Sequence, residues 1–228
     1  MADLPIERIE PFHKPFYHSG MDYLGPFEIK RGRSVVKRYG VIFTCFNSRA
    51  VHLEVPDTLD TDSCVNAVRR FVARRGHVHS IRSDNGTNLV GAAADLKRSI
   101  LELNNNKIAG ELLQRGIQWY FNPPSASHFG GAWERLIREV RKVLYSLQHE
   151  QLSRMDDEGF RTLFCEIEAI LNRRPITRHS DSVDDLDCLS PNHLLGLGDN
   201  CEYSITVSNK TDNYIKRRWK QVQYLSDI

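Results

Sequence analysis

Three acidic residues stand in contexts suited to metal-assisted phosphodiester chemistry: Asp22 in His18-Ser-Gly-Met-Asp-Tyr-Leu-Gly-Pro, Asp84 in Ile81-Arg-Ser-Asp-Asn-Gly-Thr-Asn, and Glu134 in Phe129-Gly-Gly-Ala-Trp-Glu-Arg. Cleaving or transferring a phosphodiester through two metals needs oxygen ligands that hold the ions roughly 3.5–4 Å apart, one activating the attacking oxygen and one stabilising the leaving oxygen. Carboxylates suit that task. Mg²⁺ is a hard ion with near-octahedral oxygen coordination, and it commonly takes one or two protein carboxylates together with water and substrate phosphate. A single Asp or Glu carries little information, because charged side chains are mostly solvent-exposed. Asp84-Asn-Gly is also a turn context, and Glu134 also complements a helix N-terminus. The order of the three, and their placement at strand ends and a helix start, give the set its meaning.

The elements that must position them can be read from periodicity. Residues 1–15 are punctuated by proline and lack periodicity, which predicts an extended lead-in. His18 to Phe27 is a first strand carrying Asp22, and a turn around Gly32 leads to Lys37–Phe46, whose β-branched and aromatic run predicts a central strand. Ala50–Val55 alternates as a third, completing an antiparallel meander. Thr61 or Asp62 caps a helix with Val65, Val68 and Val72 on its buried stripe and Gly76 at its end. Val78–Ser83 is a short strand that delivers Asp84 at its C-terminal end. Ala92–Leu103 is helix-prone, Asn104-Asn-Asn106 breaks it, and Glu111–Arg115 adds a helical turn before Gly116. Ile117–Phe121 is the fifth strand, and 122–131, with its prolines and paired glycines, is a mobile loop. Trp133, Leu136, Ile137, Val140, Leu144 and Leu147 form one helical stripe, and Phe160, Leu163, Phe164, Ile167, Ile170 and Leu171 another, which Arg173-Arg-Pro175 stops. The prediction is an α/β chain with a mixed five-stranded sheet flanked by helices, the first and fourth strands adjacent so that Asp22 and Asp84 meet. Glu134 swings in from the side. An acidic linker spans 181–187.

Composition narrows the classes. The 228 residues suffice for one large domain with a sizeable core, and the net charge is only +2. The five cysteines, at 45, 64, 165, 188 and 201, have no Cys-x-x-Cys pair and no ligand-like spacing to histidine, so they support neither a zinc site nor a disulfide framework. The start lacks a signal pattern and no apolar run approaches a membrane span, so the expectation is a soluble intracellular protein with no targeting signal. Basic residues cluster at Lys30, Arg31, Arg33, Lys37 and Arg38, at Arg135, Arg138, Arg141 and Lys142, and at Lys216, Arg217, Arg218 and Lys220. On a helical wheel Arg138, Arg141, Lys142 and Tyr145 share the face of Glu134, a pattern suited to a phosphate backbone. Trp119 and Trp133 read as core rather than base-stacking groups.

Five motifs carry a family resemblance: Gly20-Met-Asp-Tyr-Leu-Gly-Pro-Phe27, Arg82-Ser-Asp-Asn-Gly-Thr-Asn-Leu-Val-Gly91, Phe121-Asn-Pro-Pro-Ser-Ala-Ser-His-Phe-Gly-Gly-Ala-Trp-Glu-Arg135, Glu166-Ile-Glu-Ala-Ile-Leu-Asn-Arg-Arg-Pro175 and Ser190-Pro-Asn-His-Leu-Leu-Gly196. Together they resemble the catalytic core of a retroviral-type integrase, a ribonuclease H-like DDE polynucleotidyl transferase, and most closely that of BEL/Pao LTR retrotransposons. The resemblance implies metal ligation and catalysis by Asp22, Asp84 and Glu134, two Mg²⁺ or Mn²⁺ ions with substrate, and DNA contacts at Arg138 and Arg141, with Lys142 on the same face. It implies 3′-end processing and strand transfer of retroelement DNA, homo-oligomers, DNA ends and target DNA as partners, no membrane, and a nuclear place of action. The implied division is a lead-in over 1–12, the core over 13–199 and a truncated C-terminal extension over 200–228. Two departures stand out: the stretch between Asp84 and Glu134 is longer than in retroviral integrases, and residues 1–12 hold none of the His and Cys residues of the zinc domain that the resemblance would place ahead of the core. Two other functions compete. An ordinary nuclease on the same fold is disfavoured by the integrase-like motifs, and an idle nucleic-acid-binding or interaction module left from an element fragment would be favoured by loss of a catalytic carboxylate, whereas all three are present.

Overall fold

The computed structural model describes residues 13–83, 104–121, 135–136, 138–140, 142, 155–177 and 188–197. Their strands form one five-stranded sheet in the order β3-β2-β1-β4-β5. β1 (His18–Arg31) and β2 (Ser34–Cys45) make a long antiparallel hairpin that turns at Gly32, whose positive φ of 63° suits a residue without Cβ. The hairpin runs further in both strands than the alternation predicted. Its register shifts between Leu24 and Phe27, where Pro26 lacks the N–H that a regular ladder would use. β3 (Val51–Glu54) completes the meander, and β4 (Ser80–Ser83) pairs parallel with β1, as the expected adjacency of the first and fourth strands required. β5 (Gln118–Phe121) extends the sheet in parallel with β4.

Each face of the sheet carries its own core. On one side α1 (Thr61–Arg75) and α2 (Asn105–Leu113) bury Val65, Val68, Phe71, Ile108 and Leu112 against Met21, Tyr23, Val41, Phe43 and Ile81. On the other, α3 (Asp157–Arg173) sets Phe160, Leu163, Phe164 and Ile167 against Leu24, Phe27, Ile29, Ile42 and Leu53, with Leu136 and Val140 in the same cluster. Alternate residues of β1 serve opposite cores, as the two-residue period of a strand demands. A short α4 (Pro191–Leu194) follows, begun by Ser190 and His193 in a reciprocal cap.

Helix ends account for the differences from the sequence reading. Asp60, one residue before the predicted caps, accepts from the Ser63 N–H at 2.7 Å and starts α1. The Asn104-Asn-Asn106 run begins α2 rather than only ending a helix, because the Asn104 side chain accepts from the Lys107 N–H. Ile170, placed on the buried stripe of α3, is 40% exposed. Arg38 is no part of a solvated basic cluster: it is buried, with Nε and Nη2 on the two carboxylate oxygens of Asp157 at 2.6 and 3.1 Å. α3 ends at Arg173, and Arg174 turns extended ahead of Pro175. The helix predicted over 92–103, the loop over 122–131, the linker over 181–187, and the stripe residues Trp133, Ile137, Leu144 and Leu147 lie outside what the structure describes.

Candidate active site

Asp22 sits half-buried in the middle of β1, opposite Ile42 of β2, and its Oδ1 accepts from the Tyr23 N–H at 2.7 Å. The parallel ladder between β1 and β4 runs from His18↔Ser80 to Met21↔Ser83. Asp22 is thus the next residue of β1 after the last described pair. Asp84 is the next residue of the chain after Ser83, and it, Glu134 and Arg141 lie outside the described residues. Among the described residues no three His, Cys, Asp or Glu side chains are grouped to hold a metal ion. Of the predicted basic face, Arg138 and Lys142 are helical and exposed, on the side of their helix away from buried Leu136 and Val140.

Register aligns further groups on the face of the sheet that Asp22 shares. Gly20 of β1 pairs with Arg82 of β4, which pairs with Tyr120 of β5. One step earlier His18, Ser80 and Gln118 are aligned, with His18 Nδ1 and Ser80 Oγ 2.6 Å apart. The Arg82 guanidinium lies over the Tyr120 ring, 5.6 Å from its centroid, and the Tyr120 hydroxyl donates to Gln118 Oε1. On the opposite face Trp119 packs against the core, as expected, and its indole N–H donates to Ser83 Oγ at 3.0 Å, fixing the last residue of β4. Beside Asp22, burial, then the Cys64 and Asp22 charges, raise the Tyr23 phenol well above its ordinary range, so it is no proton acceptor at neutral pH. Burial likewise pushes the Cys64 thiol up to about 11, away from nucleophilic use.

A second polar constellation, which nothing in the sequence pattern marks, lies at the β3 edge. His52, fully buried, places Nε2 3.0 Å from Glu54 Oε1, while Arg75 Nε donates to its Nδ1 at 3.1 Å. Arg70 and Arg74 donate to Glu54, and Arg75 donates to Glu168 of α3. Burial alone would raise both glutamates, yet hydrogen bonds and charge from His52, with Arg70 at Glu54 and Arg75 at Glu168, hold them below their ordinary range. Glu168 Oε2 also accepts the Leu53 N–H at 2.7 Å, and the Asn172 amide both accepts from Val51 N and donates to Val51 O at 2.8 Å. One turn of α3 thereby satisfies the outer edge of β3. Glu168 and Asn172 lie inside the Glu166–Pro175 motif, so their spacing was visible, but not that they face a strand edge.

No protein-family model matches this sequence, and no curated protein matches it. Solved structures do. A chain of the simian T-cell lymphotropic virus intasome in complex with PP2A regulatory subunit B56 gamma matches with a TM-score of 0.52 and 12% identity, over 93% of this chain and 63% of that one. The catalytic core domain of BIV integrase matches with a TM-score of 0.51 and 15% identity, over 79% of this chain and 94% of that one. Likeness at these identities is likeness of fold. The mixed five-stranded sheet with flanking helices is the ribonuclease H-like fold of a retroviral integrase catalytic core, as the sequence led one to expect.

Proposed function

We propose that this chain is the catalytic core, over residues 13–199, of a DDE polynucleotidyl transferase that processes and joins retroelement DNA ends, of the BEL/Pao integrase type. The observation that carries the reading is the parallel register of β1 and β4, which ends at Met21↔Ser83, with Asp22 the next residue of β1 and Asp84 the next residue of the chain after β4. Adjacent parallel strands lie about 4.8 Å apart, a spacing at which two carboxylates can share ions. Asp22, Asp84 and Glu134 would hold two Mg²⁺ or Mn²⁺ ions, and Asp22 fits that role as a half-buried carboxylate on a central strand. The chemistry supplied by such ions, when bound, is activation of the attacking oxygen and stabilisation of the leaving oxygen. In this reading the chain's own contribution is positioning: β1 carries Asp22, β4 leads directly into Asp84, and the exposed, helical Arg138 and Lys142, together with Arg141, would meet the phosphate backbone beside Glu134. Partners in this reading are DNA ends, target DNA and further copies of the chain, acting in the nucleus.

Purified wild-type chain, a short labelled duplex and Mg²⁺ or Mn²⁺ test it directly. Asp22→Asn and Asp84→Asn are each expected to abolish metal-dependent cleavage and joining while leaving the circular dichroism spectrum unchanged, since a site short of one charged ligand no longer fixes the ion. Retained activity in either folded variant overturns the assignment. For the basic helix, the pair Arg138→Ala and Arg141→Ala is expected to lower the slope of log affinity against log salt by about 0.9 for each phosphate no longer neutralised. An unchanged slope would make that face merely solvated.

A further inference from the structure

We propose that the tip of the β1–β2 hairpin, carrying Lys30, Arg31 and Arg33, is a separate contact for duplex DNA that grips the phosphate backbone. The choice of DNA as partner rests on the integrase reading, and the surface itself stands on the hairpin. β4 pairs with β1 only as far as Met21 and β3 meets β2 only from Val41 onward, so the two strands run on together as a two-stranded ribbon beyond the rest of the sheet. Lys30, Arg31 and Arg33 are exposed at its end. The register sets Lys30 opposite Val35 and Arg31 opposite Ser34, whereas Lys37 stands opposite Glu28. Among the described residues no ion pair engages any of the three. The ribbon that carries them is firmly seated. Phe27 packs on the rings of Phe160 and Phe164, Ile29 is fully buried in the same core, the Lys30 N–H donates to Met155 O at 2.7 Å, and Arg38 is clamped on Asp157. Gly32, with its positive φ, closes the tip in a tight turn and sets Arg31 and Arg33 on either side of it.

Electrostatics and shape select the partner. A net charge of +2 over 228 residues exerts no general pull on a polyanion, so three unopposed cations on one rigid tip make a local field. Duplex DNA carries about one negative charge per 1.7 Å of its axis, and its major groove, about 12 Å wide, admits a two-stranded ribbon. The hairpin from Leu24 to Gly40 contains no Asn or Gln, the side chains that pair with adenine, and cations on phosphates carry no sequence information. The contact is therefore one of backbone charge. Arg31 lies nine residues beyond Asp22 along β1, roughly 30 Å of strand, so the tip meets DNA apart from any chemistry at that carboxylate.

Fluorescence anisotropy of a labelled short duplex, titrated between about 50 and 200 mM salt, reads the contact. The triple variant Lys30→Ala, Arg31→Ala, Arg33→Ala is expected to lower the slope of log affinity against log salt by about 0.9 for each phosphate no longer neutralised, up to about 2.7 in all, and equally on duplexes of unrelated sequence. The pair Arg31→Lys and Arg33→Lys keeps the charge and should keep the slope. Lys107→Ala, which removes an exposed cation paired with Asp62 on the α1–α2 side, should leave it unchanged. Should the triple variant fail to fold, the three single Ala variants at these exposed positions give the same reading in smaller steps. A wild-type slope in the folded variants would make the three cations guards of a free strand end and overturn the contact, as would an equal loss in Lys107→Ala. The two readings fail separately. Metal-dependent cleavage by the wild type with no ribbon effect leaves the integrase reading standing alone, and ribbon-dependent binding without cleavage leaves the contact standing alone. A wild-type chain that binds no duplex at low salt overturns both.

Discussion

Gly40 shows how far a single side chain sets the packing on the Asp22 face of the sheet. A Cβ built there would stand 2.5 Å from Phe164 Cε1 and 3.4 Å from Leu24 Cβ, so the ring of α3 lies in the notch that glycine leaves on β2. Gly40→Ala is expected to cost about 1–3 kcal/mol through overpacking, against the small gain alanine brings by restricting the unfolded chain. A thermal melt reads this as a fall of about 2–4 °C per kcal/mol in a chain of this size. Gly40 stands within the apolar run of β2, and nothing in that run distinguishes a glycine needed by a neighbour from a tolerated one. Asp22 could be singled out from the sequence only in company, by its order with Asp84 and Glu134 and the motif around each. Arg82 could not, because its partner Tyr120 lies on another strand and only the register brings the two rows together.

Elements with strong periodicity were legible as elements, and their boundaries were set by groups that periodicity ignores. α3 was visible from its apolar stripe, whereas its polar face was not readable as a seal on β3. That seal makes a sharp prediction. Asn172→Ala leaves the buried Val51 N–H and C=O without their amide partner and is expected to destabilise by about 1–3 kcal/mol. Asn172→Asp should cost at least as much, although it nearly preserves size, because an ionised carboxylate can accept from Val51 N but offers only oxygen to Val51 O. Urea midpoints of the two variants decide this. A milder Asp variant would mean that shape rather than hydrogen bonding holds the edge. The Asn104 run illustrates the opposite error, since asparagine is poor inside a helix and favoured at its first position, and composition alone does not tell which applies.

At the scale of the molecule, Glu54 of β3, Arg70, Arg74 and Arg75 of α1 and Glu168 of α3, with His52 between them, form one charge-linked unit. Glu54 and Glu168 are held below their ordinary value of 4.5, so the stability they contribute is fully present above that pH and is lost as pH falls through their lowered folded values. The urea midpoint of the wild type should hold steady above about pH 5 and decline below about 4.5, while Glu168→Gln, less stable at neutral pH, should decline less steeply. Parallel slopes would place the acid sensitivity elsewhere. The meander of the first three strands and the adjacency of the first and fourth were legible in the sequence, whereas this network was not, as its members come from three elements and none repeats with a helical or strand period. The same edge bears on how the protein is made. Val51 waits for an amide that lies 121 residues further along the chain. At about 5–20 residues per second on the ribosome, that is an interval of roughly 6–24 s during synthesis. Throughout it the outer edge of β3 lacks its native partners and is open to pairing with another nascent strand, an exposure that the finished molecule no longer displays.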